Sequence, residues 1–377
     1  MGKYSIRGSA AFDARLDKDF DLIARALAES PHGPAFRALV LIGGYGRGEG
    51  TPWIVEGREE PFNDYDFVVV SEPMTRRRRS GVQADLRQLE QRLMREVGLP
   101  VDLCLYSDNH LRRAEFSLLN YEMKYGHQVV WGDARILDHM PAYPHDRIPQ
   151  SEGTRLLLNR GKLLLDVRRA LRTGRALTGD ERLRFVKFVY KALLAFGDCS
   201  LLLRRAYDLR YTVKKEGIGG AVPSDMPDPA LMIEGYRRAI ALKEWGDYSF
   251  LDGYDLAGEY ERVRRYYVQF FRWHEGRRLG AGVDDTASYA RALAQGPPEC
   301  PWRKGGILNL QTFGTNAFQW GTAMVWTHPR TRLYLALPIL LGDETADPVL
   351  LSRILGASAS TIEAGELRFY ELQKRFS

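Results

Sequence analysis

The hydrophobic period of this 377-residue chain changes once, near residue 150, and that change limits the folds open to it. Before it, short apolar runs with strand spacing alternate with helical stripes; after it, only helical stripes remain. Ala38 to Ile42, Phe67 to Val70, Val101 to Tyr106 and Gln128 to Trp131 read as strands. Asp17 to Glu29, Val82 to Val97 and Leu111 to Tyr125 read as helices, the second with Val82, Leu86, Leu89, Leu93 and Val97 on one face. A loop rich in Pro and His, His139 to Pro149, follows. Glu152 to Arg172, Glu181 to Asp208, Ala230 to Glu244 and Asp255 to His274 are then amphipathic helices, and Glu366 to Phe376 is a closing one. The expected class is α/β (α+β): a mixed-sheet core at 1–150 followed by a larger, mostly helical domain at 151–377. A sub-boundary falls near 295, where Pro297, Pro298 and Pro301 break the pattern.

Composition excludes more than it selects. A 45% hydrophobic and 27% charged chain is ordinary for a globular protein and unlike a disordered or fibrous one. The net charge of +6 favours anionic partners such as nucleotides or nucleic acid. Met1 to Ala11 lacks an apolar leader. The most apolar late run, Leu333 to Leu341, is about half a membrane span and contains Pro338. A cytoplasmic chain with no membrane partner is expected. Cys104, Cys199 and Cys300 have neither zinc-site nor disulfide-framework spacing and read as structural thiols. Trp273, Trp302, Trp320 and Trp326 read as core, and Arg76 to Arg79 as a solvated loop between a strand and a helix.

Three segments carry chemistry when taken together: Gly43-Gly44-Tyr45-Gly46-Arg47-Gly48-Glu49-Gly50, then Asn63-Asp64-Tyr65-Asp66-Phe67, then Val101-Asp102-Leu103. Aspartates one residue apart on a strand share a face, because side chains alternate with period two. Two such charges disfavour each other's ionisation unless a cation sits between them. Asp64 and Asp66 therefore call for a hard divalent metal, and Asp102 on a neighbouring strand adds a third carboxylate. Two Mg²⁺ ions, or Mn²⁺ in their place, would clamp the attacking and leaving oxygens of a displacement at phosphorus. A strand ending in Gly43-Gly44 lets backbone N–H groups approach a triphosphate such as that of ATP, and Arg47 adds a cation. A dinucleotide-binding turn does not fit. The glycines run Gly-x-Gly-x-Gly-x-Gly, and Thr51 to Phe62 holds two prolines where a crossover helix would have to lie.

This constellation resembles the DNA polymerase β-like nucleotidyltransferase superfamily. It is nearest to the bacterial minimal and aminoglycoside-type members, several of which carry a C-terminal helical domain. The resemblance covers roughly residues 35 to 135. It implies that Gly43 and Gly44 hold the triphosphate, that Asp64 and Asp66 ligate the metals, and that Asp102 completes the metal site and helps activate the acceptor hydroxyl. Two departures stand out: Gly44 replaces the frequent Ser, and the gap to Asp64 is long, with Thr51 to Phe62 reading as an inserted hairpin or loop. A helical stripe of Arg184, Lys187, Lys191 and Asp198 is solvated on the plain reading. By the resemblance, Lys187 or Lys191 would meet the triphosphate and Asp198 the acceptor.

The implied reaction is metal-dependent transfer of NMP from an NTP to a hydroxyl of a small-molecule acceptor, with release of pyrophosphate. The helical domain would close the cleft and bind the acceptor. Nucleotidylation of a protein, as in the antitoxin and toxin enzymes, or of RNA ends is the alternative, with cyclic-dinucleotide synthesis behind them. A non-catalytic nucleotide sensor is the rival from another class.

Overall fold

The computed structural model describes residues 2–319, 321–342, 347–357 and 361–376. The fold is α+β, with a small mixed sheet in the N-terminal part and a helical remainder. The chain forms two compact units: residues 1–149, 205–217 and 237–250 make the first, and residues 150–204, 218–236 and 251–377 the second. Two segments that the sequence pattern assigns to the helical half thus fold with the sheet. Among the described residues no helix is long and apolar enough to cross a membrane.

The first unit is built on a four-stranded sheet ordered β5-β4-β1-β6, from β1 (Phe36–Leu41), β4 (Tyr65–Ser71), β5 (Val101–Ser107) and β6 (Gln128–Gly132). β1 runs antiparallel to β4 and β6, and β4 runs parallel to β5. The parallel pair is joined by the helix α2 (Arg76–Val97), the crossover such a pair requires. Helix α1 (Ala10–Ala28) and α2 cover one sheet face, burying Phe12, Leu16, Phe20, Val82, Leu86 and Leu93 against Leu39, Leu41, Phe67 and Val69. A two-stranded hairpin, β2 (Pro52–Val55) and β3 (Arg58–Pro61), lies between β1 and β4 in sequence and occupies the long gap before Asp64.

Two local readings change. Arg76 to Arg79 are not a loop: they form the first turn of α2, because Thr75 caps it by accepting from the Arg78 N–H. Leu111 to Tyr125 is not one helix but two, α3 (Asp108–Arg112) and α4 (Leu118–Tyr125), each opened by its own serine cap, Ser107 and Ser117. A local hydroxyl competes here with a continuous apolar stripe and wins.

In the second unit, α5 (Ser151–Arg172), α6 (Gly179–Leu203) and, later in the chain, Leu256–Leu279 pack around Phe196, Tyr266, Tyr267 and Phe270. The buried carboxylate of Glu275 accepts from Thr154 at 2.6 Å, from Tyr289 at 2.8 Å and from Arg278. Its pKa is drawn down to about 2: burial opposes ionisation, but the hydrogen bonds of His274 and Arg278 outweigh it. The tryptophans depart from expectation, since Trp302 and Trp326 are exposed and meet edge to face at 5.4 Å. Trp273 is half-buried and Trp320 lies outside the described residues.

Candidate active site

Alternation along β4 sets the geometry. Tyr65 points into the core, where it meets Phe20 and Tyr45 edge to face at 5.0 and 5.4 Å and donates its hydroxyl to Asp19 at 2.9 Å. Asp64 and Asp66, on either side of it, must then emerge on the opposite face. β4 and β5 pair in a register that sets Asp66 directly beside Asp102. Oxygens of Asp64, Asp66 and Asp102 lie within 4.8 Å of one another. Burial, and to a lesser degree the charge of Asp64, raise the pKa of Asp102. Three convergent oxygen donors fit a hard divalent ion.

The glycine turn is fitted to this cluster. Gly43 has φ +68, and a Cβ built there would stand 2.6 Å from Asp66 Oδ2. Only glycine satisfies both the left-handed backbone and the close approach. Beside it, a Cβ on Gly44 would lie 3.6 Å from the Nζ of Lys243. The turn is steadied by Tyr45, whose buried hydroxyl accepts from the Phe62 N–H at 3.1 Å and donates to the Thr51 carbonyl at 3.3 Å. Burial pushes that phenol up to about 12, so it stays a donor throughout the neutral range.

Arg47 is placed differently from the phosphate contact that the sequence implies. Its guanidinium is buried between Glu49 and Glu122, with contacts of 3.4 and 3.3 Å. Segment 205–217 completes this network: the Tyr207 hydroxyl donates to Glu122, the Tyr211 N–H donates to Glu49 at 2.6 Å, and the buried Lys214 lies over the rings of Tyr207 and Tyr211 at 4.5 and 4.2 Å. Burial works to raise the pKa of Glu122, yet the charges of Arg47, Lys214 and Lys243 together hold it below the ordinary carboxylate range. Glu49 lies above that range, because burial there outweighs Arg47.

Gly43, Gly44, Asp64, Asp66 and Asp102 therefore come together in the first unit, as their sequence pattern implies. Lys187 and Lys191 lie on α6 of the second unit, the first half-buried and the second exposed. Asp198, on the same helix, is buried and accepts from Tyr236 at 2.7 Å rather than lining a solvated stripe. Lys243, Lys214, Tyr207 and Tyr211 were not legible as site residues. Lys243 is 192 residues from Thr51, whose hydroxyl donates to its carbonyl at 2.7 Å, and a lysine near a helix end carries no local signal.

No protein-family profile matches the chain, and no curated protein matches it. Among solved structures, the chain is similar to a spectinomycin adenyltransferase from Enterococcus faecialis, determined with ATP and spectinomycin. The two are 10% identical over 66% of this chain and 98% of that one, with a TM-score of 0.36.

Proposed function

We propose that this protein is a metal-dependent nucleotidyltransferase that moves NMP from an NTP to a hydroxyl of a small-molecule acceptor and releases pyrophosphate. One observation carries this reading: the Asp64, Asp66 and Asp102 carboxylates converge within 4.8 Å of one another, beside a glycine turn where a Cβ on Gly43 would stand 2.6 Å from Asp66 Oδ2. Binding alone would not require three mutually repelling carboxylates; stabilising charge that develops at phosphorus would.

Asp64, Asp66 and Asp102 would hold two Mg²⁺ ions, or Mn²⁺, which supply charge neutralisation at the α-phosphate and a lowered pKa for the acceptor hydroxyl. Gly43 and Gly44, lacking side chains, admit the β- and γ-phosphates close to the backbone. The ammonium of Lys243 pairs with those phosphates and favours the departing pyrophosphate. Asp102, on the edge strand, orients the acceptor hydroxyl and takes its proton as the new P–O bond forms. Arg47, with Glu49 and Glu122, fixes segment 205–217 rather than touching substrate.

The test is to incubate the protein with each of the four NTPs, labelled at the α-phosphate, with Mg²⁺ and a fractionated cell extract. Label should appear in a low-molecular-weight product in step with pyrophosphate. Label in protein or RNA would replace the acceptor class, and no transfer from any NTP would overturn the reading.

A further inference from the structure

Lys243 keeps a charge that no carboxylate pairs with. The residue is half-buried, and among the described residues no Asp or Glu oxygen lies within ion-pair distance of its Nζ. What the ammonium does meet is the ring of Tyr211, 5.2 Å from its centroid, and the glycine turn, 3.6 Å from where a Gly44 Cβ would stand. The same ring lies 4.2 Å from the Lys214 ammonium and 5.8 Å from the Arg47 guanidinium. Three cations from three parts of the first unit thus share one aromatic ring.

Tyr211 is itself held in place. Its N–H donates to Glu49 at 2.6 Å, and the Glu49 carboxylate lies 3.4 Å from Arg47. Its hydroxyl, by contrast, makes no hydrogen bond among the described residues, so the ring is the part of the side chain that makes contacts. A ring in this place differs physically from an acid. An aromatic face attracts an ammonium through its quadrupole and brings no negative charge. A carboxylate would neutralise Lys243 and repel an incoming triphosphate. The ring orients the ammonium and leaves its charge whole.

Resting on the nucleotidyltransferase reading, we propose that Tyr211 is a positioning residue for triphosphate binding: its ring holds the Lys243 ammonium at the Gly43-Gly44 turn, where that ammonium meets the β- and γ-phosphates. Tyr211 acts through Lys243 and not by touching substrate.

The test is a double-mutant cycle, read by titration calorimetry with ATP and with inorganic tripolyphosphate, each with Mg²⁺. Tyr211→Leu should weaken both ligands by roughly fivefold, the range of a partly desolvated cation–π contact. With Lys243→Ala already in place, the same substitution should change either affinity by less than about twofold. Tyr211→Phe keeps the ring, loses only the hydroxyl and should bind both ligands as wild type does. Trifluorophenylalanine at position 211 keeps the shape but strips the ring face of its negative potential. It should weaken binding as Tyr211→Leu does, and it completes the cycle if the leucine variant fails to fold. Equal losses with and without Lys243 would show a merely structural role and overturn the proposal. A loss in Tyr211→Phe as large as in Tyr211→Leu would overturn it in favour of a hydroxyl contact. Either result leaves the nucleotidyltransferase reading intact, whereas wild-type protein that binds neither ligand would remove both.

Discussion

Replacing Gly43 with alanine separates folding from function in this site. The substitution places a methyl at φ +68, which costs about 1 kcal/mol for an L-residue in the left-handed region. It also sets that methyl 2.6 Å from Asp66 Oδ2, whereas ordinary contact begins at 3.4 Å, so the carboxylate must retreat by about 0.8 Å. Because the clashing atom ends a side chain, the retreat adds little to the folding cost. A metal ligand displaced that far is another matter: misplacement near 1 Å costs on the order of a hundredfold in rate. Gly98→Ala is the control, since Gly98 has φ +80 and open space where its Cβ would lie. Urea denaturation should give similar losses for both variants, about 1 kcal/mol. Pyrophosphate release should fall roughly a hundredfold for Gly43→Ala and stay unchanged for Gly98→Ala. Equal activity in the two variants would refute the close fit between turn and carboxylate.

Other consequences follow from the same contacts. Lys243→Ala should weaken NTP binding by about tenfold to a hundredfold, the value of a charge-assisted hydrogen bond, as titration calorimetry reads it, and should lower the urea midpoint less than loss of Arg47 does, because Lys243 is one of several charges acting on Glu122. Arg47→Met should instead destabilise the first unit by about 3 kcal/mol, because it removes the cation lying between buried Glu49 and half-buried Glu122 and leaves only Lys214 and Lys243 to offset them. That loss would be measured by urea unfolding. In the second unit, Glu275 has a native pKa of about 2 against an ordinary 4.5. A carboxylate depressed in this way contributes stability above its unfolded pKa and loses it as pH falls toward the native one. Stability should therefore decline between pH 4.5 and about 2, by on the order of 3 kcal/mol from this group, and Glu275→Gln should flatten that decline in acid titrations followed by circular dichroism.

Much of the sheet unit was legible because its signals are local. A short apolar run marked β4 and period-two alternation marked β5, and Asp64, Asp66 and Asp102 follow from strand geometry once the two strands are neighbours. The hairpin showed as Pro52, Gly57 and Pro61 in a gap too long for a turn. Gly43 was legible as a glycine, but its pressure against Asp66 was not, since that depends on how β1 meets β4. What the sequence hid is nonlocal. Segments 205–217 and 237–250 fall at and beyond the ends of the expected helices Glu181 to Asp208 and Ala230 to Glu244, and only their partners, Glu49 and Glu122 for the first and Thr51 for the second, assign them to the sheet unit. Arg47 misled for the same reason: a cation in a glycine-rich turn resembles a phosphate ligand until two acidic side chains enclose it.

The most direct measurement follows label from α-³²P-ATP and γ-³²P-ATP, or from whichever NTP proves active, through wild-type protein and Asp66→Asn with Mg²⁺ and the acceptor fraction. Wild-type protein should transfer the α-label and not the γ-label, and Asp66→Asn should transfer neither while keeping its circular dichroism spectrum. Transfer of the γ-label, or an Asp66→Asn variant as active as wild type, would contradict nucleotidyl transfer at the carboxylate cluster.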